Sequence, residues 1–349
     1  MLSRMQIFIS FFIEGGTPLS LDDAEWTMAL WQVFFVYEKL PLPSDAPATA
    51  SPYSLAGYCT TYRFTTPVSS SLSHESTNTS TKNVTDFSSL SLDNSDLPHR
   101  ARISQFLILP PHQKLGLGSI LFETITQTFL SDPACYEITV EDPSEAFDDL
   151  RDFCDFKRLS NNGVLSQIKM NSDIDPKLSA KKIGVRVPTA QLLDVPLLEN
   201  LRLKNKLAPR QFWRLVELYL LSTIPHSVRT SGVARLTQKA RTKDPADRKY
   251  YYWRLLVKQR IYRKNKDTLI QLDRLERIEK VEEAVGEQAG DYERLLRAMA
   301  LKEVERLEKG DDEAKEDPSA RRAKRKLIVE DDDEGGVSDG SEVKKVKDS

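Results

Sequence analysis

The pattern of apolar and polar positions changes character several times along the chain. "RISQFLIL" (102–109) is a short Ile- and Leu-rich run that stops at Pro110-Pro111, which predicts a buried strand. From Leu117 to Leu130 the spacing becomes helical, with Ile120, Leu121, Thr124, Ile125 and Thr128 expected near one face. "YEITVED" (136–142) alternates through Ile138 and Val140 and predicts a second strand. Strand, helix and strand in this order form a βαβ unit, whose crossover makes the strands parallel. Both strands then end on the same edge of the sheet, the edge where open α/β sheets bind ligands. From 175 to about 305 the pattern is helical. "QFWRLVELYLLSTI" carries an apolar stripe, and "RLLVKQRIYRKNKDTLIQLDRLERIEKVEEAV" reads as one continuous charged amphipathic helix.

The flanking segments read differently. "MLSRMQIFISFFIEGG" is interrupted by Gln6 and Ser10 and ends in Glu14 with no small-residue cleavage site, which predicts a buried element rather than a signal peptide. "PLPSDAPATASP" (41–52) is a linker or long loop. Tyr62 and Phe64, two apart in "YCTTYRF", face one side of a strand. Residues 68–98 are rich in Ser, Thr and Asn and too poor in apolar groups to order themselves; their N-x-S/T triplets at Asn78 and Asn83 are read as chance. After Gly310 the chain is a polyampholyte, "RRAKRK" followed by "EDDDEGG", predicted to be a disordered tail.

Composition narrows the function classes. A net charge of −2 selects no partner by itself. Cys59, Cys135 and Cys154 form no CxxC motif, and the histidines form no HExxH, so no metal site is expected. No apolar run is long enough to span a bilayer. The basic stretch 228–266, with Tyr250, Tyr251, Tyr252 and Trp253, could face nucleic acid. The stronger reading makes those aromatics the core seam of a helix, and no direct nucleic-acid contact is expected.

The chemistry concentrates after the first strand of the βαβ unit. Gly116 and Gly118 at a helix start leave backbone N–H groups uncovered, a setting suited to a phosphate. The loop is neither GxxxxGK[ST] nor a complete GxGxxG, since Leu121 stands at the third glycine. What remains is Gln113-x-x-Gly116-x-Gly118. Glu141 and Asp142 end the second strand on the same edge. Asp142, Pro143 and Glu145 have the form of a helix start, with Asp142 as the expected N-cap.

Q-x-x-G-x-G after a strand resembles the pyrophosphate motif of the Gcn5-related N-acetyltransferase superfamily. "ISQFLILPPHQKLGLGS" with "ITVEDPSEAFDDLRD" is similar, more closely, to the catalytic subunits of type B histone acetyltransferases, from about Phe8 to about 300. The resemblance implies an α+β acetyltransferase fold, a mixed central sheet flanked by helices, over 1–174 with 68–98 as a disordered insertion. A helical C-terminal domain over 175–310 and a disordered tail over 311–349 would follow. It implies acetyl-CoA as co-substrate, held by Phe106, Leu107, Ile108, Gln113, Lys114, Leu115, Gly116, Leu117, Gly118, Ser119 and Ser144. It assigns the catalytic base to Glu141, with Asp142 and Glu14 as supporting acids. Histone-tail contacts fall on Trp26, Tyr62, Arg63 and Phe64. The implied substrate is the N-terminal tail of free histone H4, the implied partner a β-propeller histone-chaperone subunit, and the implied location both cytoplasm and nucleus. Family members carry a further domain ahead of the position of Phe8, which suggests a shortened chain and, as an alternative function, a non-catalytic acetyl-CoA- or histone-binding relative.

A carboxylate base suits that chemistry. A free lysine ammonium has a pKa near 10.4 and is no nucleophile until it loses a proton. General-base help is worth on the order of 10² to 10⁴ in rate. The amine can attack a thioester directly, so no cysteine nucleophile is required. Additional carboxylates give a cationic substrate a negative mouth to enter.

Overall fold

The computed structural model describes residues 2–13, 15–20, 22–43, 45, 47, 49–65, 97–173, 189–230 and 244–315; side chains at 2, 3, 24, 26 and 305–315 are outside the description. Glu14, most of the 68–98 insertion and the 321–326 basic cluster therefore lie outside the described residues. The chain divides into a large unit, 1–295, and a second unit, 296–349.

The large unit is α+β. Short helices α1 (Leu2–Met5), α2 (Ile7–Phe12) and α3 (Ala24–Leu30) precede strands β1 (Trp31–Lys39) and β2 (Tyr53–Thr65). The predicted βαβ unit follows as β3 (His99–Ile108), α4 (Leu117–Ser131) and β4 (Cys135–Val140). The sheet order is β1-β2-β3-β4, antiparallel except for the β3–β4 pair, which is parallel as the crossover requires. Thr65 pairs with His99, so the Ser/Thr-rich segment closes a hairpin. Loop closure costs grow slowly with length, so such an insertion burdens the sheet little.

The two faces of the sheet are covered differently. On one face, α4 and α5 (Glu145–Asn161) bury Leu121, Phe122, Ile125, Phe129 and Cys154 against Cys59, Ala101 and Ile103. The buried seam of α4 is Leu121, Phe122, Ile125, Thr126 and Phe129, which corrects the expected one: Ile120, Thr124 and Thr128 face solvent. Phenylalanines at 122 and 129 rotate the helix toward their larger apolar surface, and the Thr124 and Thr128 hydroxyls bond back to carbonyls one turn earlier. On the other face, Met5, Phe8 and Ile13 pack on Val33, Phe35, Leu55, Tyr58 and Leu107. The N-terminal element is buried on this side only. Phe11 is 72% exposed and Ile7 59%, so its fully buried reading is corrected.

Gly57 is indispensable to this sheet, because a Cβ there would sit 2.5 Å from the Leu107 carbonyl oxygen. In the helical part, α6 (Thr189–Leu192), α7 (Val195–Lys204), α8 (Pro209–Ser222), α9 (His226–Thr230) and α10 (Pro245–Lys264) lead through α11 (Lys266–Leu269) to α12 (Arg274–Lys315). The single long charged helix expected here is broken between Leu269 and Arg274. Asp273 caps the new start, its carboxylate accepting from the N–H groups of Leu275 (2.7 Å) and Glu276 (3.0 Å). Tyr250, Tyr252 and Trp253 are buried, with Tyr250 stacked on Trp253 at 5.8 Å. They form a core seam, and these rings offer no face to a nucleic acid.

The helical part is fastened to the sheet and α5 by polar contacts. Lys206 donates through Nζ to the carbonyls of Phe129 (2.9 Å), Leu130 (3.1 Å) and Asp132 (2.6 Å), closing the C-terminus of α4. The Lys206 carbonyl accepts from Ile138 N at 2.7 Å, and Leu207 bridges Ile138 in parallel on the free edge of β4. Asp152 of α5, fully buried, accepts from Gln211 and Arg214 of α8. No described helix is long and apolar enough to cross a membrane.

Candidate active site

The site is made where β3 and β4 part. The parallel pairing ends at Ile103 opposite Val140, with Glu141 N donating to the Ile103 carbonyl at 2.9 Å. Beyond that point β3 runs on through Ser104–Ile108 with no residue of β4 opposite. Against β2, Thr61 pairs with Ile103 and Thr60 with Gln105, so Ser104 is the extra residue of a β-bulge. A bulge bends its strand and re-aims a side chain. Here Ser104 Oγ donates to Glu141 Oε2 at 2.5 Å, and Arg102 Nη1 stands 3.6 Å from Oε1. The Glu141 side chain remains 46% exposed. Thr17, three residues after Glu14, accepts from Gln105 Nε2 at 3.0 Å, so the N-terminal segment crosses β3 next to the bulge.

Asp142 sits at φ +33°, a conformation Asp tolerates better than most residues but which strains the backbone beside Glu141. The N-cap of α5 is Ser144, whose Oγ accepts from Phe147 N at 3.3 Å. This corrects the expectation that Asp142 caps the helix. Asp142 lies too far before the first turn, and its left-handed backbone serves the reversal from β4 into α5.

The glycine loop lies on the same edge. Pro110–His112 form one turn of 3-10 helix, and Gln113 Nε2 donates back to the Ile108 carbonyl at 2.9 Å. Lys114 (φ +63°) and Gly116 (φ +83°) are both left-handed, and Gly116 is the N-cap of α4. A Cβ at Gly116 would meet nothing within 4 Å, and one at Gly118 would touch Leu150 Cδ2 at 3.5 Å. No acidic residue occupies the first turn of α4. The unpaired N–H groups and positive end of this helix therefore face no acid from its own first turn. Ser119 is half-buried, and its hydroxyl acts on the Cys154 thiol of α5. Leu115 is exposed, and Leu117 opens the helix half-buried.

The side chains of Phe106, Leu107 and Ile108 are committed to packing. Phe106 meets Phe147 at 4.9 Å, Ile108 joins the same layer, and Leu107 is buried on the opposite face. Phe106 and Ile108 are only partly buried there, while Leu107 is fully committed to the core. Tyr62 and Phe64, 6.5 Å apart, share the face of Arg102 and continue to Trp31 at 5.1 Å from Tyr62. Arg63 does not join them. It pairs with Ala101 of the α4–α5 layer and acts electrostatically on His99 on that side. Trp26 lies on α3, but its side chain is outside the description, and Glu14 is likewise not described. Arg102 and Ser104, the two contacts of Glu141, were not found by sequence reasoning. The signal was Arg-x-Ser at the point where the parallel strand must end, and it becomes meaningful only once the register is known.

The thiols take no part. All three cysteines are buried and free. Burial pushes Cys154 up to about 11 and holds Cys59 well above the ordinary thiol range. At neutral pH they are protonated and poor nucleophiles.

Comparison with known proteins converges on one family. A family model described as "Fungal HAT1, C-terminal" matches residues 177–224. The chain is 41% identical to an Aspergillus fumigatus protein named "Histone acetyltransferase type B catalytic subunit", over 99% of this chain and 62% of that one. Proteins of the same name from Aspergillus oryzae (40% identical, 95% of this chain, 67% of the relative) and Neurospora crassa (36%, 99% and 70%) are also similar. The chain thus spans 62% of the length of the Aspergillus fumigatus relative.

Proposed function

The chain belongs to the family of histone acetyltransferase type B catalytic subunits, and from that premise we propose that it transfers acetyl from acetyl-CoA to a lysine of a free histone. The substrate we infer is the N-terminal tail of newly made histone H4. The observation that carries the reading is Glu141, held by the bulged Ser104 where β3 leaves β4, on the edge at which α4 and α5 begin.

Acetyl-CoA supplies an activated thioester when bound. The residues present fit it: a helix start at Gly116–Ser119 with no acid in its first turn, open space at Gly116, and a stretch of β3 backbone that runs on past the end of β4. Backbone N–H groups of Gln113–Ser119 take the pyrophosphate. Phe106, Leu107 and Ile108 bind through backbone atoms, and Ser144 stands at the α5 start. Glu141 accepts a proton from the lysine ammonium, directly or through a water. The freed amine would then attack the acetyl carbon, the C–N bond forming as the C–S bond breaks, with the second proton of the amine passing to the departing thiolate. Asp142 and Glu14 add negative field. Trp26, Tyr62 and Phe64 carry the tail contacts; Arg63, on the opposite face of β2, is not among them.

The same reading includes a catalytic domain over 1–174, a helical domain over 175–310, a β-propeller histone-chaperone partner, and residence in cytoplasm and nucleus with 321–326 as the import signal. The test is transfer of radiolabelled acetyl from acetyl-CoA to an H4 tail peptide and to the same peptide with every lysine replaced by norleucine. Label in the first alone supports the reading. Binding of acetyl-CoA without transfer would point to a non-catalytic relative.

A further inference from the structure

Arg100 and Arg102 lie two residues apart on one face of β3, and each meets a carboxylate of β4 or its end. They are held very differently. Arg100 Nε is 2.8 Å from Glu137 Oε1, in a pocket where Glu137 also accepts from Arg202 at 3.1 Å. Arg102 approaches Glu141 only to 3.6 Å, with its side chain 39% exposed. Its guanidinium carbon lies 5.8 Å from the centroid of the Phe64 ring. Arg102 thus touches two groups that a lysine ammonium would also seek: a carboxylate and an aromatic face.

We propose that Arg102 is a displaceable internal cation that fills the acceptor-lysine subsite between Glu141 and Phe64 until the substrate lysine replaces it. This rests on the reading of Glu141 as the base. Part of the binding affinity of the tail is spent on moving Arg102 aside, so Arg102 sets a threshold that weakly held amines do not pass. An exposed ion pair and an exposed cation–π contact are each weak, so exchange is feasible, and their loss together corresponds to about three- to tenfold in affinity. Once displaced, the guanidinium remains near the incoming ammonium and favours its neutral, nucleophilic form. Arg102 is in this account a specificity-determining residue, not a catalytic one.

The test is fluorescence anisotropy on the full chain with acetyl-CoA present, using a labelled H4 tail peptide carrying one lysine and its norleucine counterpart. For Arg102→Gln, affinity for the lysine peptide should rise about three- to tenfold while the norleucine peptide changes little. Arg102→Lys should restore the parent affinity, which a merely structural role for the guanidinium would not predict. The norleucine peptide keeps every other charge, so a general field effect would move both peptides together. Parallel changes in the two peptides, or weaker binding of the lysine peptide by Arg102→Gln, would overturn the proposal. Binding is read without turnover, so a chain that transfers no acetyl still decides the role of Arg102, whereas the transfer assay decides the function.

Discussion

The two faces of the sheet obey different rules. Beneath α4 and α5 the layer is closed, with Ile103 and Ile125 fully buried and phenylalanine rings edge-on to one another. On the opposite face, past the cover of α1 and α2, stand Phe64, Arg102 and Glu141, each more than a third exposed. One strand serves both. Ala101 and Ile103 point into the closed layer, Arg102 points out, and the bulge at Ser104 redirects the strand where β4 ends. The half-exposed charged face is tolerated because the closed face buries the apolar surface.

That division can be broken from either side. The largest effect is expected at the loop. Gly118→Asp adds a side chain at an ordinary contact distance from Leu150 and puts an acid in the first turn of α4, which a helix accepts readily. The fold should persist, while a negative charge at the proposed pyrophosphate site abolishes acetyl-CoA binding. Calorimetry giving parent-like affinity in a folded variant would refute the loop assignment. On the closed face, Ile125→Ala should cost about 2–5 kcal/mol in denaturant unfolding. Acetyl-CoA affinity measured well below the unfolding midpoint should change little, because Ile125 lies about two turns along α4 from Gly116 and Gly118.

The smallest effect concerns pH. Burial lowers the pKa of His99 from its ordinary value of 6.5, and Arg63 and Lys206 act the same way, against Asp132 and the Leu97 carbonyl. A His whose folded value is depressed is neutral in the fold. The unfolded chain takes the proton first as pH falls, so this contribution to stability is present above 6.5 and is lost progressively below it. Thermal melts from about pH 7.5 to about pH 5.5 should fall more steeply for the parent than for His99→Asn. Equal slopes would show that His99 does not control acid sensitivity.

Much of this was legible from local pattern. The prolines at 110 and 111, the glycines at 116 and 118 and the alternation through Ile138 and Val140 state a strand–turn–helix–strand, and parallel pairing follows from chain geometry. Features that depend on a partner strand were not legible. The Ser104 bulge exists only as a mismatch with Thr60 and Thr61. Arg102 becomes a site residue only because Thr139 lies opposite it and Glu141 two residues further on. Some misses had a readable signal. Asp273 with Glu276 announces a helix start, and Ser144 is a better cap than Asp142 once Glu145 is taken as the first helical residue. Gly57, inside a strand-like run, marked a close backbone approach.

The proposed role of Glu141 as general base is decided by the pH dependence of acetyl transfer by Glu141→Gln. Glutamine keeps the shape and can still accept from Ser104 but has no basicity. Acetyl-CoA binding should be unaltered and turnover reduced by about 10² or more near neutral pH. The deficit should shrink as pH rises and more of the substrate lysine is already neutral. Near-parent turnover at neutral pH in Glu141→Gln, with Asp142→Asn or Glu14→Gln inactive instead, would contradict it and move the base to another carboxylate.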